Sequence, residues 1–346
     1  MRSSNENSVA SANAWRGLGK ILAHAFLAIG LGAVALLARA PDTAPSTADR
    51  DEHSAAEQGF DLLMDGNPDA AIQLFHQIQQ NDPQSPLGYL LDAEALWWKI
   101  YYSTARLLEP DVFDVAWASS SPYDYHFSDL IRVANSRAEE RIRAGQDVAR
   151  NTLYQGMAYA LTARLDGLRG RDLATSRAGK KMRALLLSSL HMDPNLIDAN
   201  LGLGIYNYYI DTLPAPLKLF RMLDNLPAGN RNMGLEMLQR TAQHGDLLRG
   251  EAKFYLAKDY SLDGEKKYQQ ALELFQELAR SFPHNQLWAL LAANMEARLG
   301  KSDRADSLYR EVFKDTEKAD SQSDTVVHLA ARDVLVRSHP REAIGQ

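Results

Sequence analysis

The sequence predicts an all-α protein built from repeated helical hairpins, an α-solenoid, and three observations lead to that prediction. From residue 54 onward apolar residues recur with a helical period, and almost no segment alternates as a β-strand does. Small and aromatic residues recur in the same order in separate segments, with a period of 34 residues between Ala271 and Ala305. Short glycine-containing turns separate the helical segments, as expected for stacked hairpins.

The composition excludes several classes of function. The 346 residues include no cysteine, which excludes disulfides, thiol catalysis and cysteine-ligated metals. The formal net charge is −6, and without the first forty residues the chain has 34 basic and 43 acidic residues, a net charge of −9. Because an acidic body with scattered basic residues offers no electrostatic footprint for a polyanion, the sequence predicts no nucleic-acid partner.

Residues 1–40 predict an export signal. Residues 21–38 are uncharged and apolar, with basic residues before them and acidic residues after them. Two alternatives are open: the Ala-Arg-Ala triplet at 38–40 resembles a signal-peptidase site, whereas the long apolar run and Pro41 favour a retained transmembrane anchor. In either case the charge distribution predicts that the body lies outside the cytoplasm, anchored in the inner membrane or released as a periplasmic or secreted protein.

The rest of the chain divides into three predicted segments. Residues 41–53 are small, polar and proline-containing, and predict a flexible linker. Residues 54–318 predict the helical-repeat domain, with irregular insertions at 103–130 and 210–232. Residues 319–346 predict a final helix, which caps the array, and a tail.

The repeat signature is clearest in residues 52–85. Gly59, Ala71, Phe75 and Pro83 lie there at successive intervals of 12, 4 and 8 residues. Small residues let the paired helices approach closely, the aromatic ring fills the space between them, and proline ends the second helix. The signature continues at Gly156, Tyr159, Pro194, Ala271, Phe275, Pro283, Ala293, Ala305 and Tyr309. In the turns at 66–69 and 300–303, a glycine is expected to end one helix and a polar side chain to cap the next.

Residues 52–85 and 252–318 resemble tetratricopeptide repeats, the TPR family. The resemblance implies a superhelix whose concave face binds a peptide or protein. Asp259 departs from the pattern, because the family usually has a small residue at that position. The segment between Leu201 and Leu238, rich in glycine and tyrosine, resembles the inclusion-body-clearance family of helical-repeat proteins, and no activity follows from that resemblance.

The sequence predicts no cofactor, no metal site and no enzymatic activity. The nine histidines show no metal-binding spacing relative to one another, and the chain has neither a phosphate-binding glycine loop nor a nucleophile elbow. Glu251 is the one glutamate that invites comparison with the general acid of a lytic transglycosylase. We expect it instead to begin a helix, where a carboxylate stabilises the helix dipole.

Aromatic residues provide the candidate partner-binding site. These aromatic residues have two interpretations: they pack in the core, or they form a concave binding surface with basic neighbours. The candidates are Trp98, Tyr102 and Tyr209, flanked by Lys99, Arg106, Lys218 and Arg221.

The predicted function is a non-catalytic interaction scaffold of the cell envelope, which binds a peptide or protein on its concave face. The alternative is a periplasmic helical protein that binds a small molecule for a solute transporter. An open groove would favour the scaffold, and a closed, aromatic-lined cavity would favour the alternative.

Overall fold

A computed structural model describes residues 47–109, 111, 120–213, 226–318 and 321–338. These residues form thirteen α-helices and no β-strand, which confirms the all-α class. Within the same ranges no helix combines the length and the apolarity needed to cross a bilayer. The apolar segment predicted at 21–38 lies outside the described residues, as do the candidate residues Lys218 and Arg221.

The helices are numbered here in chain order. They are α1 (Thr47–Met64), α2 (Pro68–Asn81), α3 (Leu87–Ser103), α4 (Asp124–Arg143), α5 (Val148–Leu168), α6 (Asp172–Met192), α7 (Ala199–Thr212), α8 (Arg231–His244), α9 (Arg249–Ser261), α10 (Tyr268–Ser281), α11 (Gln286–Arg298), α12 (Ser302–Asp315) and α13 (Gln322–Ser338).

Each helix packs against the next one in the chain, as the repeat pattern predicts. Helices two positions apart also touch along the array, in the pairs α1–α3, α3–α5, α5–α7 and α11–α13. Consecutive hairpins therefore stack on one another, an arrangement consistent with an α-solenoid.

The signature residues make the close contacts for which they were singled out. Ala71 and Phe75 on α2 are fully buried, and a Cβ atom added to Gly59 on α1 would lie 2.2 Å from the Phe75 ring. In the divergent centre, a Cβ added to Gly156 on α5 would lie 2.4 Å from Leu186 on α6. Glycine on one helix thus makes room for the large side chain of its partner in both hairpins.

The two predicted turns differ in their capping. Gly66 and Gly300 both have positive φ, +88° and +77°, the conformation that glycine adopts without steric cost. The Asn67 side chain then caps α2 by accepting a hydrogen bond of 3.1 Å from the Ala70 N–H. The expected cap of α12 is wrong, because Lys301 occupies the N-cap position and makes no side-chain capping bond.

Some element boundaries differ from the expected ones. Helix α1 begins at Thr47, inside the stretch 41–53 that was interpreted as a linker. The connection between α5 and α6 is short, because α5 runs to Leu168 and α6 starts at Asp172. Both helices are 21 residues long.

The first hairpin is hydrogen-bonded to the last part of the array. The carbonyl of Met64, at the end of α1, accepts hydrogen bonds from Asn285 Nδ2 at 2.9 Å and Trp288 Nε1 at 3.0 Å. Tyr102 on α3 donates to Asn285 Oδ1 at 3.2 Å. Helix α13 packs on α12, as a capping helix would, and also on α11 and α3. The first three helices, α1 to α3, therefore meet the last five, α9 to α13, and we call the contact between these two groups the seam.

Candidate partner-binding groove

A groove of about 440 Å³ opens at this seam and is the candidate functional site; we call it the seam groove. One wall is α1, the opposite wall is the start of α9 with the loop before it, and α10 closes the end. Its apolar lining consists of Phe60, Met64, Leu247, Leu278 and Phe282. Gly250 packs closely against α1, since a Cβ there would lie 3.0 Å from Met64 Cε.

The walls of the seam groove carry opposite charges. Glu57 and Asp61 lie one turn apart on α1, while Arg249 and Lys253 lie one turn apart on α9. Burial and the charge of Glu57 raise the pKa of Asp61, and the Arg249 guanidinium opposes that rise. Lys253 is paired with Glu277 at 3.0 Å, and the loop before α9 adds the acidic Asp246. Arg249, at the positive end of the α9 dipole, is therefore the main group on this wall that favours an anion, whereas the α1 wall favours a cation.

The loop that completes the groove is held in place by a buried carboxylate. Asp198 is 6% exposed and accepts hydrogen bonds from the N–H groups of Asp246 at 2.8 Å and Leu247 at 2.9 Å. Burial raises the pKa of Asp198 to about 6. These hydrogen bonds to Asp198 hold the backbone of residues 245–248 in place, and the Asp246 side chain lies at the rim of the groove.

The aromatic residues proposed from sequence lie in the interior. Trp98 and Tyr102 on α3 are each 2% exposed, so neither presents a surface to a partner in this structure. The Trp98 ring lies 5.1 Å from Phe254 on α9 and 5.9 Å from Trp288 on α11, measured between ring centroids. This burial favours core packing, the first of the two interpretations of these aromatic residues.

The remaining described candidates are all partly buried. Lys99 pairs with Asp69 at 2.6 Å and lies over the Tyr123 ring, and Arg106 pairs with Glu109 at 3.3 Å. Tyr209 is partly buried on α7, beside Tyr208. The structure thus brings none of these described residues into the lining of the seam groove.

A buried ion network accounts for Glu251. The Arg164 guanidinium donates to Glu94 Oε1 at 2.9 Å and Glu251 Oε1 at 2.6 Å, and all three side chains are at most 6% exposed. Glu251 lies in the first turn of α9, as expected. A neighbouring cavity of about 10 Å³ has room for one water molecule, not for a substrate. Glu251 therefore joins α9 to α3 and α5 and is not exposed to a reactant.

Two further buried ionisable residues follow on the same helix. Lys258 is 2% exposed and donates to the carbonyl of Leu107 at 2.8 Å and to that of Glu109 at 2.5 Å, which holds the chain after α3. Asp259, which replaces the small residue usual in the repeat, is fully buried. Burial and the charge of Asp111 raise the pKa of Asp259 well above its ordinary range, while the Tyr209 hydroxyl favours the ionised form.

The buried Asp259 predicts a distinct dependence of stability on pH. Its folded-state pKa lies above the unfolded value, so its contribution is complete at acidic pH and is lost as pH rises through the folded pKa. Lys258, whose pKa burial lowers to about 7, acts in the opposite direction, since stability rises with pH between its folded and unfolded pKa values. Because Lys258 is present in both wild type and Asp259→Asn, its contribution cancels when the unfolding free energies of the two proteins are compared at the same pH.

We expect Asp259→Asn to become progressively more stable than wild type as pH rises, by at most about 1.4 kcal/mol per pH unit in the window where Asp259 titrates. The reason is that the amide mimics the protonated acid and does not titrate. Urea denaturation of both proteins at pH 5 and pH 8 measures the difference. A constant difference at the two pH values would show that Asp259 is equally protonated in the folded and unfolded states over this range, and therefore that its pKa is not raised by folding.

The seam groove was not predicted from the sequence. Arg249 and Lys253 flank Glu251, and the only residue of that segment with a predicted role was the glutamate. Glu57 lies on the polar side of a helix in the first repeat. No local pattern could have found the groove, since its walls come from helices nearly 190 residues apart in the chain.

The described residues form stacked helical hairpins, consistent with an α-solenoid. Residues 197–328 match the family model described as Iml2/Tetratricopeptide repeat protein 39. The match begins just before α7 and ends within α13, and it confirms the predicted resemblance to a helical-repeat family. It includes the α9 wall of the seam groove and supports a role in protein interaction. No curated protein matches the chain.

Proposed function

We propose that this protein is a non-catalytic interaction module of the cell envelope that binds a segment of a partner protein in the seam groove. The observation that carries the proposal is the groove itself, an open site between α1 and the α9–α10 hairpin with an apolar lining and charged groups of both signs. The apolar run at 21–38 and the charges around it support the envelope location.

The charges of the groove define the partner's chemistry. Arg249 and Lys253 complement an acidic side chain or a C-terminal carboxylate, and Glu57 and Asp61 complement a lysine or arginine. The apolar lining complements one aliphatic or aromatic side chain between these charges. A short peptide segment of mixed charge therefore fits the groove better than a uniformly charged polymer does.

Selection of peptides from a random displayed library on the immobilised chain tests this proposal. We expect the recovered peptides to bind with an affinity that falls at least about tenfold in the double variant Arg249→Gln/Lys253→Gln, because each lost charge pair contributes about 1 kcal/mol or more in a partly desolvated site. Arg143→Gln is the matched control, since that arginine is exposed on α4, outside the groove lining.

Binding that survives the double variant but is lost in the control would place the partner surface elsewhere. Recovery of no binding peptide from the library would count against peptide recognition by this groove. The thermal stability of each variant shows whether a loss of binding comes from unfolding. The double variant should remain folded, because Arg249 is exposed and Lys253 is partly exposed.

A further inference from the structure

Three metal-ligating side chains converge at the rim of the seam groove. His53 Nε2 lies 3.2 Å from Asp246 Oδ1 and 3.6 Å from Glu57 Oε1, and all three atoms lie within 4.8 Å of one another. Among the described residues, this is the group of histidine and carboxylate side chains whose ligand atoms come close enough together to share one ion. We propose that His53, Glu57 and Asp246 bind a divalent first-row transition-metal ion such as Zn²⁺.

The two distances from His53 to the carboxylate oxygens fit this coordination. Ligands about 2.0–2.1 Å from a tetrahedral zinc ion lie about 3.4 Å from one another, close to the two distances measured from His53 Nε2. One imidazole nitrogen with two carboxylate oxygens leaves a fourth position for water or a partner's side chain. This mixed set suits Zn²⁺ better than Mg²⁺ or Ca²⁺, which prefer oxygen ligands alone.

The three side chains are positioned by structure that does not depend on the ion. His53 and Glu57 are four residues apart on α1, so they lie on the same face of that helix. Asp246 lies in the loop whose backbone is fixed by the Asp198 carboxylate. A Cβ at Gly245 would lie 2.6 Å from the Thr241 carbonyl oxygen and 2.7 Å from Asp198 Oδ1, so glycine is what lets the loop pass this close to both groups.

Charge and access also suit a cation. Two carboxylates converge on one imidazole nitrogen, which can donate a single proton to only one of them, and a divalent ion would neutralise both. The side chains of His53, Glu57 and Asp246 are 35%, 49% and 54% exposed, so an ion can reach them from solvent. Arg150 lies near enough to Asp246 to interact electrostatically, but its own ion pair is with Asp147 at 3.2 Å.

The site has a structural consequence. It links α1 to the loop between α8 and α9, segments from the two ends of the array, at the edge of the seam groove. A bound ion would therefore stabilise the seam, since a ligand that binds only the folded state raises its stability. Spacing between histidines could not reveal this site, because two of its three ligands are carboxylates.

Calorimetric titration of the EDTA-treated full chain with ZnCl₂ tests the proposal. We expect one ion per chain, with an affinity weakened by more than about tenfold in His53→Ala and in Asp246→Asn. His126→Ala is the matched control, because His126 is an exposed histidine on α4 outside this cluster, and it should bind like wild type. Substitution with Co²⁺ gives a second readout, since its visible absorption reports coordination by nitrogen and oxygen ligands.

Equal zinc binding by wild type, His53→Ala and Asp246→Asn would overturn the proposal, and so would the absence of binding to wild type. Asp246 is exposed and His53 is partly exposed, so a folded protein is expected in each case, and thermal denaturation in EDTA verifies it. Zinc should raise the melting temperature of wild type and of His126→Ala but not that of His53→Ala. Peptide binding by the groove is a separate measurement, and its outcome does not decide this one.

Discussion

Replacement of Arg164 by methionine is expected to lower the free energy of unfolding by about 3–5 kcal/mol, the cost of leaving buried carboxylates without their cation. Arg164 is the cation that hydrogen-bonds to both Glu94 and Glu251, at 2.9 and 2.6 Å. Its guanidinium also lies 5.1 Å from the centre of the Tyr255 ring, a cation–π contact that methionine would not retain. Chemical denaturation of the variant and wild type at pH 8 measures the loss.

The loss should be smaller at acidic pH. Burial raises the pKa of Glu251 to about 8, so its contribution to stability is complete below the unfolded value of 4.5 and is lost as pH rises through about 8. Without Arg164 the ionised form has lost its main stabilising neighbour, and the variant should recover stability when pH falls from 8 to 5. An equal loss at both pH values would contradict this account of the network.

A matched variant separates charge from shape. In Arg164→Met/Glu94→Gln/Glu251→Gln the carboxylates are replaced by neutral amides, so most of the lost stability should return. If the triple variant is as unstable as Arg164→Met alone, the cost lies in packing around the arginine and not in unpaired charge.

Replacement of Trp98 by alanine is expected to cost about 3–5 kcal/mol of unfolding free energy, as usual for a large aromatic side chain removed from a core. The expected cost lies at the upper end of the range because the Trp98 ring contacts α9 and α11 as well as its own helix. Hydrogen exchange should show lost protection in α1–α3 and in α9–α11 together, since this residue joins the two ends of the repeat domain.

Tyr125→Ala is the control for this prediction. Tyr125 is 87% exposed, so its removal should change stability by less than about 0.5 kcal/mol. A cost below about 1 kcal/mol for Trp98→Ala would mean that the aromatic cluster does not hold the array together. It would also reopen the interpretation in which Trp98 contributes to a binding surface.

The helical hairpins could be predicted from the sequence because their determinants are local. The pairs Gly59–Phe75 and Gly156–Leu186 lie within single hairpins, 16 and 30 residues apart, and their side-chain sizes already indicate which helix faces which. The turn at Gly66 and Asn67 is equally local, since a glycine with positive φ and a capping side chain act within a few residues. At the start of α12, Lys301 makes no side-chain capping bond, so a glycine followed by a polar residue allows a cap but does not guarantee one.

The sequence by itself determined the all-α class, the repeat period and the resemblance to helical-repeat families, all of which rest on spacings within one or two helices. Only the tertiary structure decided that Trp98 and Tyr102 are interior, that Glu251 meets Arg164, and that a charged groove opens between α1 and α9. The physical reason is that small rotations between successive hairpins add up along the array, and their sum decides which distant faces meet. No pattern within a single repeat records that sum.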